Sequence, residues 1–201
     1  MVTLDKHLTF DKHANVLSKA CFYYILAFRH IRPAISENMA KLVACSLVGS
    51  RLDYANSAFY GVSKHNIHRL QRIQNSIARV VVGSATYSSS GATATLRRLH
   101  WLPIEWRVQH KMATLAYKAR SAAAPNYLCN LISVHAPPRL LRSSVANLLT
   151  VPPHKLTFGS RAFRVAAPTV WNSLPEDIRS IDSLPIFRRR LKTHFFNCAF
   201  P

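Results

Sequence analysis

Residues 54–175 of this chain contain fifteen Lys or Arg side chains and a single carboxylate, that of Glu105. A folded domain normally mixes both signs of charge, so a tract that cannot neutralise itself internally indicates an external polyanion. The simplest such partner is a nucleic acid, through its sugar-phosphate backbone. The residues expected to contact it are Arg69, Arg72, Arg79, Arg107, Lys111 and Lys118.

The acidic residues do not form a catalytic pattern. Two-metal phosphoryl transfer and glycoside hydrolysis each require at least two acids that converge on one site. Glu176 and Asp177 are adjacent, but neighbouring residues on a helix do not face each other, and a role at a helix start explains them better. The glycine-rich phosphate and dinucleotide motifs and the nucleophile-elbow motif are absent from the sequence. We therefore predict no enzymatic activity, no cofactor and no small-molecule substrate.

The cysteines and histidines do not form a metal-ligand pattern either. Metal ligands usually come in close pairs, whereas the four cysteines stand far apart. His65 and His68 have no neighbouring cysteine or acid to complete a tetrahedral site. The sequence thus predicts no metal site and reduced thiols at Cys21, Cys45, Cys129 and Cys198.

The composition predicts a folded, intracellular protein. The chain has a formal net charge of +19 in 201 residues, yet it is 49% hydrophobic and contains only 5 glycines, so the charge does not come from a disordered basic tail. Residues 1–11 lack the continuous apolar run of a signal peptide, and no run approaches the ~20 apolar residues of a membrane span. We expect no membrane partner, and a location in the nucleus or the cytoplasm.

Two helices are predicted near the N-terminus, after a short strand at residues 2–4. Asp11 is a candidate N-cap of the first, and Pro33 ends it. Ser36 opens the second. Helical spacing predicts a buried apolar row on each helix. The rows are Val16, Ala20, Tyr24, Ala27 and Ile31 on the first, and Met39, Val43 and Leu47 on the second.

The most periodic segment starts after Ser63, a candidate N-cap, and ends at Gly83. Its predicted buried row is Ile67, Leu70, Gln74, Ile77 and Val81. The opposite face carries a polar, mostly basic stripe, namely His65, His68, Arg72, Asn75 and Arg79, with Lys64 and Arg69 beside it. Such a stripe is usually a solvated helix face. The absence of acids one turn away favours phosphate contact instead.

A loop, two further helices and a hairpin are predicted after Gly83. Residues 84–95, rich in Ser, Thr and Ala, are expected to form a flexible loop. Beyond it, a second basic helix has the buried row Ile104, Val108, Met112, Leu115 and Ala119. Residues 155–165 alternate around Gly159-Ser160 and predict a β-hairpin with a type II′ turn. A last helix places Phe187, Leu191 and Phe195 inward.

The aromatic residues are expected to serve mainly in packing. Trp101, Trp106 and Trp171 could stack on bases, but each lies in an apolar context where burial is the commoner role. Tyr54 and Tyr60 lie on a connection between helices and are better candidates for partial exposure. No base-stacking motif is therefore predicted.

Five stretches, in this order and at these intervals, resemble one family. They are Val2-Thr3-Leu4-Asp5 with Leu8-Thr9-Phe10 and His13; Arg51-Leu52-Asp53-Tyr54-Ala55-Asn56; Leu70-Gln71-Arg72-Ile73-Gln74-Asn75 with Ala78-Arg79; Leu99-His100-Trp101-Leu102-Pro103-Ile104; and Ala167-Pro168-Thr169-Val170-Trp171-Asn172-Ser173-Leu174-Pro175. Together they are similar to the C-terminal third of the reverse transcriptase polyprotein of LINE-type non-LTR retrotransposons, of the CR1, L2 or jockey-like kind. The resemblance covers essentially the whole chain.

The resemblance implies a polymerase thumb with its downstream extension, whose helices grip template and primer. In that family the catalytic aspartates lie in a palm upstream of the region matched here, and this chain has no Asp-Asp pair. The expectation is a truncated, non-catalytic remnant of an RNA-directed DNA polymerase. The expected fold is mainly α: a thumb-like helical region (1–83), a flexible loop (84–95), a helical extension (96–134), and a hairpin with C-terminal helices (135–201).

Three hypotheses about function remain open at this point. The first is sequence-tolerant binding of RNA, DNA or a primer-template duplex. The second is a helical protein-interaction scaffold with no nucleic-acid role, which exposed apolar residues around Val2, Leu4 and Phe10 would favour. The third is association with an intact polymerase chain that supplies the activity.

Overall fold

Helices account for nearly all the regular structure that the computed structural model describes. It describes residues 2–121, 125–136, 147–156 and 158–201, with the backbone alone for 84–90. The helices are α1 (Asp11–Ile31), α2 (Glu37–Ala44), α3 (Ser50–Asp53), α4 (Lys64–Val82), α5 (Ser84–Arg98), α6 (Ile104–Arg120), α7 (Asn126–Cys129), α8 (Phe163–Asn172), α9 (Glu176–Arg179) and α10 (Leu184–Ala199). The prediction of a mainly α fold is confirmed.

The chain divides into two compact units. Unit 1 comprises residues 1–107 together with 198–201, and unit 2 comprises residues 108–197, so the division falls inside α6. In unit 1, α4 is the central element, because α1, α2 and α5 all pack on it. Its predicted buried row is largely confirmed: Leu70, Gln74, Ile77 and Val81 are buried, and Ile67 is half-buried.

Helix α4 begins and ends where the sequence predicts. The Ser63 side chain accepts a hydrogen bond from the Asn66 backbone N–H, which satisfies one of the free donors of the first turn. Gly83 follows the helix with φ of 85°, a left-handed value that glycine adopts without strain. Ser36 caps α2 in the same way, through the backbone N–H of Met39.

Helix α1 runs parallel to α4, and hydrogen bonds join the pair at both ends. At the start, Asn66 Nδ2 donates to Asp11 Oδ1 at 2.8 Å and to the Thr9 carbonyl at 3.2 Å. At the end, Arg32 Nε and Nη2 donate to the Val81 carbonyl at 3.0 and 2.7 Å. This carbonyl lies in the last turn of α4, where a cation also stabilises the helix dipole.

The N-cap predicted for α1 is wrong. The N-cap residue is Phe10, in the left-handed region with φ of 64° and without a side-chain capping bond, and Asp11 is the first helical residue. The preceding turn is held instead by Asp5, whose carboxylate accepts hydrogen bonds from the backbone N–H groups of Thr9 and Phe10. No strand forms at residues 2–4.

The buried rows predicted for α1 and α2 are wrong by one position. Val16 is 56% exposed and Met39 is 50% exposed, whereas the residues that follow them, Leu17 and Ala40, are buried. One position is a rotation of about 100° around a helix. The buried faces are Ala14, Leu17, Ser18, Cys21, Ile25 and Phe28 on α1, and Ala40 and Ala44 on α2, followed by Val48. Apolar residues occur on neighbouring faces of α1, so hydrophobic spacing alone does not determine which face is buried.

Residues 84–95, predicted as a flexible loop, are helical instead. Two helical segments of α5 meet at Gly91, whose φ of 69° and ψ of 174° break the helix. The side chain of Thr95 donates to the Gly91 carbonyl at 2.7 Å, one turn earlier in the second segment. Ser and Thr lower helix propensity only slightly, so their abundance does not prevent a helix between Gly83 and Leu99.

The predicted β-hairpin is also wrong. Gly159–Arg161 form one 3₁₀ turn, and Phe163–Asn172 form α8. Gly159 lacks the positive φ that the first central residue of a type II′ turn requires. Thr157, one residue of the expected first strand, lies outside the described residues. In the described parts of the chain no strand occurs, only an isolated antiparallel bridge between Val134 and Leu149.

The core of unit 2 is aromatic. Trp171 on α8 is fully buried, and its ring stacks on Phe187 of α10 with centroids 5.8 Å apart. Phe187 also stacks on Tyr117 of α6 at 4.4 Å. The Trp171 Nε1–H donates to the Asn147 carbonyl at 2.7 Å, so the buried indole is fully satisfied. The predicted burial of Trp171 and of the row Phe187, Leu191 and Phe195 is confirmed.

Trp171→Ala is expected to lower the free energy of unfolding by about 3–5 kcal/mol, because the cavity and the lost aromatic contacts add together. Urea unfolding followed by circular dichroism measures it. Tyr127→Ala is the control, since Tyr127 is exposed and its loss should change stability little. Equal effects of the two changes would contradict the assignment of the core.

Asn66→Ala is expected to raise the pKa of Asp11. The side-chain hydrogen bonds from Asn66 and then Thr9 hold the pKa of Asp11 below its ordinary value of 3.8. A carboxyl whose folded pKa is lowered stabilises the fold above the ordinary value and loses this contribution as the pH falls below it. The variant should therefore show an Asp11 pKa closer to 3.8 by NMR titration. An unchanged pKa would contradict the described hydrogen bond.

Candidate nucleic-acid interface

The six predicted contact residues divide between the two units. Arg69, Arg72 and Arg79 lie on α4 in unit 1. Arg107 is the last residue of α6 that belongs to unit 1, whereas Lys111 and Lys118 belong to unit 2. Of the six, only Arg69, Arg72 and Arg79 lie together on one helix of a single unit.

Arg69 and Arg72 line a groove of about 470 Å³ between α1 and α4. The α1 wall contributes Lys19 and the apolar side chains of Phe22, Tyr23 and Leu26, together with Asn15 and Ser18. Cations therefore stand on both helices, and aromatic side chains lie between them. We call this depression the α1–α4 groove.

Arg79 lines a second depression, of about 390 Å³, with Arg29 and Arg32. Because α1 and α4 run parallel, this depression follows the α1–α4 groove along the same pair of helices. Lys19 and Arg29 are ten residues apart on α1, as are Arg69 and Arg79 on α4, which corresponds to about 15 Å on each helix. We call Lys19, Arg29, Arg69, Arg72 and Arg79 the cationic seam.

Three members of the cationic seam have no counter-ion among the described residues. In the described residues the ion pairs are Lys41 with Glu37, Arg98 with Glu37, and Arg107 with Asp53. Lys19, Arg29 and Arg72 take part in none of them and make no hydrogen bond within the part of the chain described. Their charges are thus available to an external anion.

Arg69 is partly engaged. Its Nη2 lies 2.9 Å from His65 Nε2 and donates to it when that nitrogen carries no proton. Its Nη1 is buried and has no hydrogen-bond partner in the described structure. Asp11 lies close enough for the positive charge of Arg69 to help lower its pKa, after the hydrogen bonds from Asn66 and Thr9. Its carboxylate thus offsets part of the positive charge at the groove, although no ion pair joins it to Arg69 in the described residues.

Arg107 has a structural role in this fold. Its Nε donates to Asp53 Oδ1 at 2.9 Å and its Nη2 donates to Asp53 Oδ2, so the pair is bidentate. This bond joins the start of α6 to the end of α3. The guanidinium is already committed to a carboxylate, so we leave Arg107 out of the interface.

Lys111 and Lys118 lie on the part of α6 that belongs to unit 2. Lys111 is exposed and Lys118 is half-buried. The described structure shows no ion pair for either of them. Both stay candidates for phosphate contact, but no described groove includes them.

The described residues bring together no group of three His, Cys, Asp or Glu side chains that could hold a metal ion. Within those same residues, no helix is both long and apolar enough to cross a membrane. No known protein-family profile matches this chain, and no curated protein or solved structure is similar enough to count as a match.

Sequence reasoning missed the α1 side of the interface. Lys19, Phe22, Tyr23 and Arg29 were not predicted as contacts, because the charge imbalance that indicated the contacts begins at residue 54, beyond α1. The available signal is that Lys19, Phe22, Leu26 and Arg29 recur at spacings of three and four, a single helical stripe with a cation at each end. Tyr54, expected to be exposed, is exposed, and Tyr60 is half-buried.

Arg107→Ala is expected to lower the stability of unit 1 by about 1 kcal/mol, because a bidentate ion pair between partly exposed groups is lost. Its effect on nucleic-acid affinity should be small. Chemical denaturation and fluorescence polarisation measure the two effects. A large loss of affinity with unchanged stability would contradict the structural role.

Proposed function

We propose that this chain is a non-catalytic module that binds nucleic acid through the phosphate backbone, with the cationic seam of unit 1 as its main contact surface. The observation that carries this proposal is that Lys19, Arg29 and Arg72 stand along one helix pair with no counter-ion in the part of the chain that the structure describes. Backbone contacts of this kind are sequence-tolerant, because phosphates are the same at every base.

The length of the seam suits a repeating anion. Its cations extend over about 15 Å on each helix, and one strand of a DNA duplex carries one phosphate per about 3.4 Å of helix axis. Several phosphates can therefore face the seam at once. A small anion would occupy only one or two of the five cations.

We further propose that the chain derives from the thumb region of a LINE-type reverse transcriptase. The support is the resemblance of the five stretches, together with the bonds they make. Gln71 Oε1 accepts from the Ile104 backbone N–H at 2.9 Å, and Gln74 Nε2 donates to the Leu102 carbonyl at 2.8 Å. Two of the resembling stretches thus contact each other through the buried side chain of Gln74 and the half-buried side chain of Gln71, as the parts of one ancestral domain would.

A protein-interaction scaffold is the second candidate. Of the three residues expected to mark it, Leu4 is exposed, Val2 is half-buried and Phe10 is buried. Met39 and Leu42 on α2 add further exposed apolar surface. Contiguous apolar patches often mark interfaces, so absence of any salt-sensitive nucleic-acid binding would favour this candidate.

Removing Lys19 and Arg72 together is expected to weaken duplex binding at low salt and to reduce the logarithmic salt slope by about 1.8, since each phosphate contact contributes about 0.9. Polarisation of a labelled primer-template duplex, titrated at several salt concentrations, measures both. The loss should be similar for unrelated base sequences.

The matched control for this pair is Arg97→Ala. Arg97 is also an exposed cation of unit 1, on α5, and lines neither depression. Its removal should leave the salt slope nearly unchanged. A flat salt response of the parent protein, or an equal loss in the control, would overturn the proposed interface.

A further inference from the structure

The α1–α4 groove combines three cations with exposed aromatic rings. Phe22 is 41% exposed and Tyr23 is 69% exposed, and both line the groove with Lys19, Arg69 and Arg72. Burial of these rings against a ligand would remove a large apolar area from water. Phosphate contacts alone do not require aromatic residues, so the groove offers more than a duplex backbone can use.

The ring of Tyr23 is held in place although it is exposed. It packs edge-on against Tyr24, with centroids 5.5 Å apart and planes at 83°. The Tyr24 ring is in turn covered by the Arg51 guanidinium, which lies 3.9 Å from the ring centroid. Arg51 Nη1 donates to the Leu47 carbonyl, which fixes the guanidinium on α3. A braced ring loses less conformational freedom when a ligand stacks on it.

The rings can contact bases only when the bases are unpaired. In a duplex each base face is covered by its neighbours, and only the base edges are accessible from the grooves. In a single strand the faces are free, and stacking on aromatic side chains beside a cationic track is how single strands are commonly bound. A single strand therefore uses both the cations and the rings of the α1–α4 groove, whereas a duplex uses the cations alone.

The aromatic rings among the cations favour this occupant over an acidic peptide. The cations flank the rings on α1 through Lys19 and Arg29, and face them from α4 through Arg69 and Arg72. Cations also line the second depression, through Arg29 and Arg79, as expected for a polymer that carries one negative charge per residue. An acidic peptide would be steered by the same charges but would not offer flat base faces to the rings.

We infer that the α1–α4 groove binds an unpaired nucleic-acid strand, with bases stacked on Tyr23 and Phe22 and phosphates bound to Lys19, Arg69 and Arg72. This inference rests on the proposed function and specifies that the groove binds a single strand in preference to a duplex. The five seam cations then hold the backbone on either side of the stacked bases.

Tyr23→Leu tests the stacking role, because it keeps an apolar side chain and removes the aromatic face. Fluorescence polarisation is measured with an unstructured twelve-nucleotide oligo-dT, with a duplex of the same length, and with a poly-glutamate peptide (~12 residues, as a charge-only probe). The variant is expected to lose about tenfold in affinity for the single strand and to bind the duplex unchanged. Tyr127→Leu, an equally exposed tyrosine of unit 2 at 68%, should change neither affinity.

The possible outcomes separate this inference from the proposed function. Tighter binding of oligo-dT than of the duplex, with a selective loss in Tyr23→Leu, supports the inference. Salt-sensitive binding of both probes without an effect of Tyr23→Leu overturns it and leaves the backbone-binding proposal standing. Equal binding of poly-glutamate and oligo-dT also overturns it, since charge would then suffice. Absence of binding to any nucleic acid overturns the proposed function as well. Circular dichroism of both variants verifies the fold.

Discussion

The parallel packing of α1 on α4 is the constraint on which the candidate interface depends. Small buried residues such as Ala14 and Cys21 let the two helices approach closely. Asn66 and Arg32 then fix their relative register by hydrogen bonds at opposite ends. With the register fixed, Lys19 and its aromatic neighbours on α1 face Arg69 and Arg72 on α4.

The sequence predicted α4 well and α1 poorly for a physical reason. On α4 the face opposite Leu70 and Ile77 is polar, so only one helical face could be buried, and Ser63 and Gly83 mark the ends. On α1 apolar residues occur nearly all round, and hydrophobic spacing alone does not distinguish two neighbouring faces. The buried face, with Leu17, Ile25 and Phe28, depends on how α1 packs on α4, which is a property of the packed pair.

The hairpin error and the half-predicted site both concern features that local sequence patterns do not determine. Residues 161–165 alternate over too few positions to separate a period of two from a period of 3.6. Val165, Ala166 and Val170 are buried together only because α8 forms. Likewise, the charge imbalance identified the cationic half of the interface on α4, but it could not indicate the aromatic half on α1. It also could not show that Arg107 forms an ion pair with Asp53, which lies 54 positions earlier in the sequence.

The most direct test of the cationic seam is an amide NMR titration of the chain with a single-stranded oligonucleotide. The account predicts that the largest chemical-shift changes fall on residues 15–29 of α1 and residues 69–79 of α4, and that added salt reverses them. Shift changes confined to unit 2, or concentrated on the exposed face of α2 around Met39 and Leu42, would contradict it.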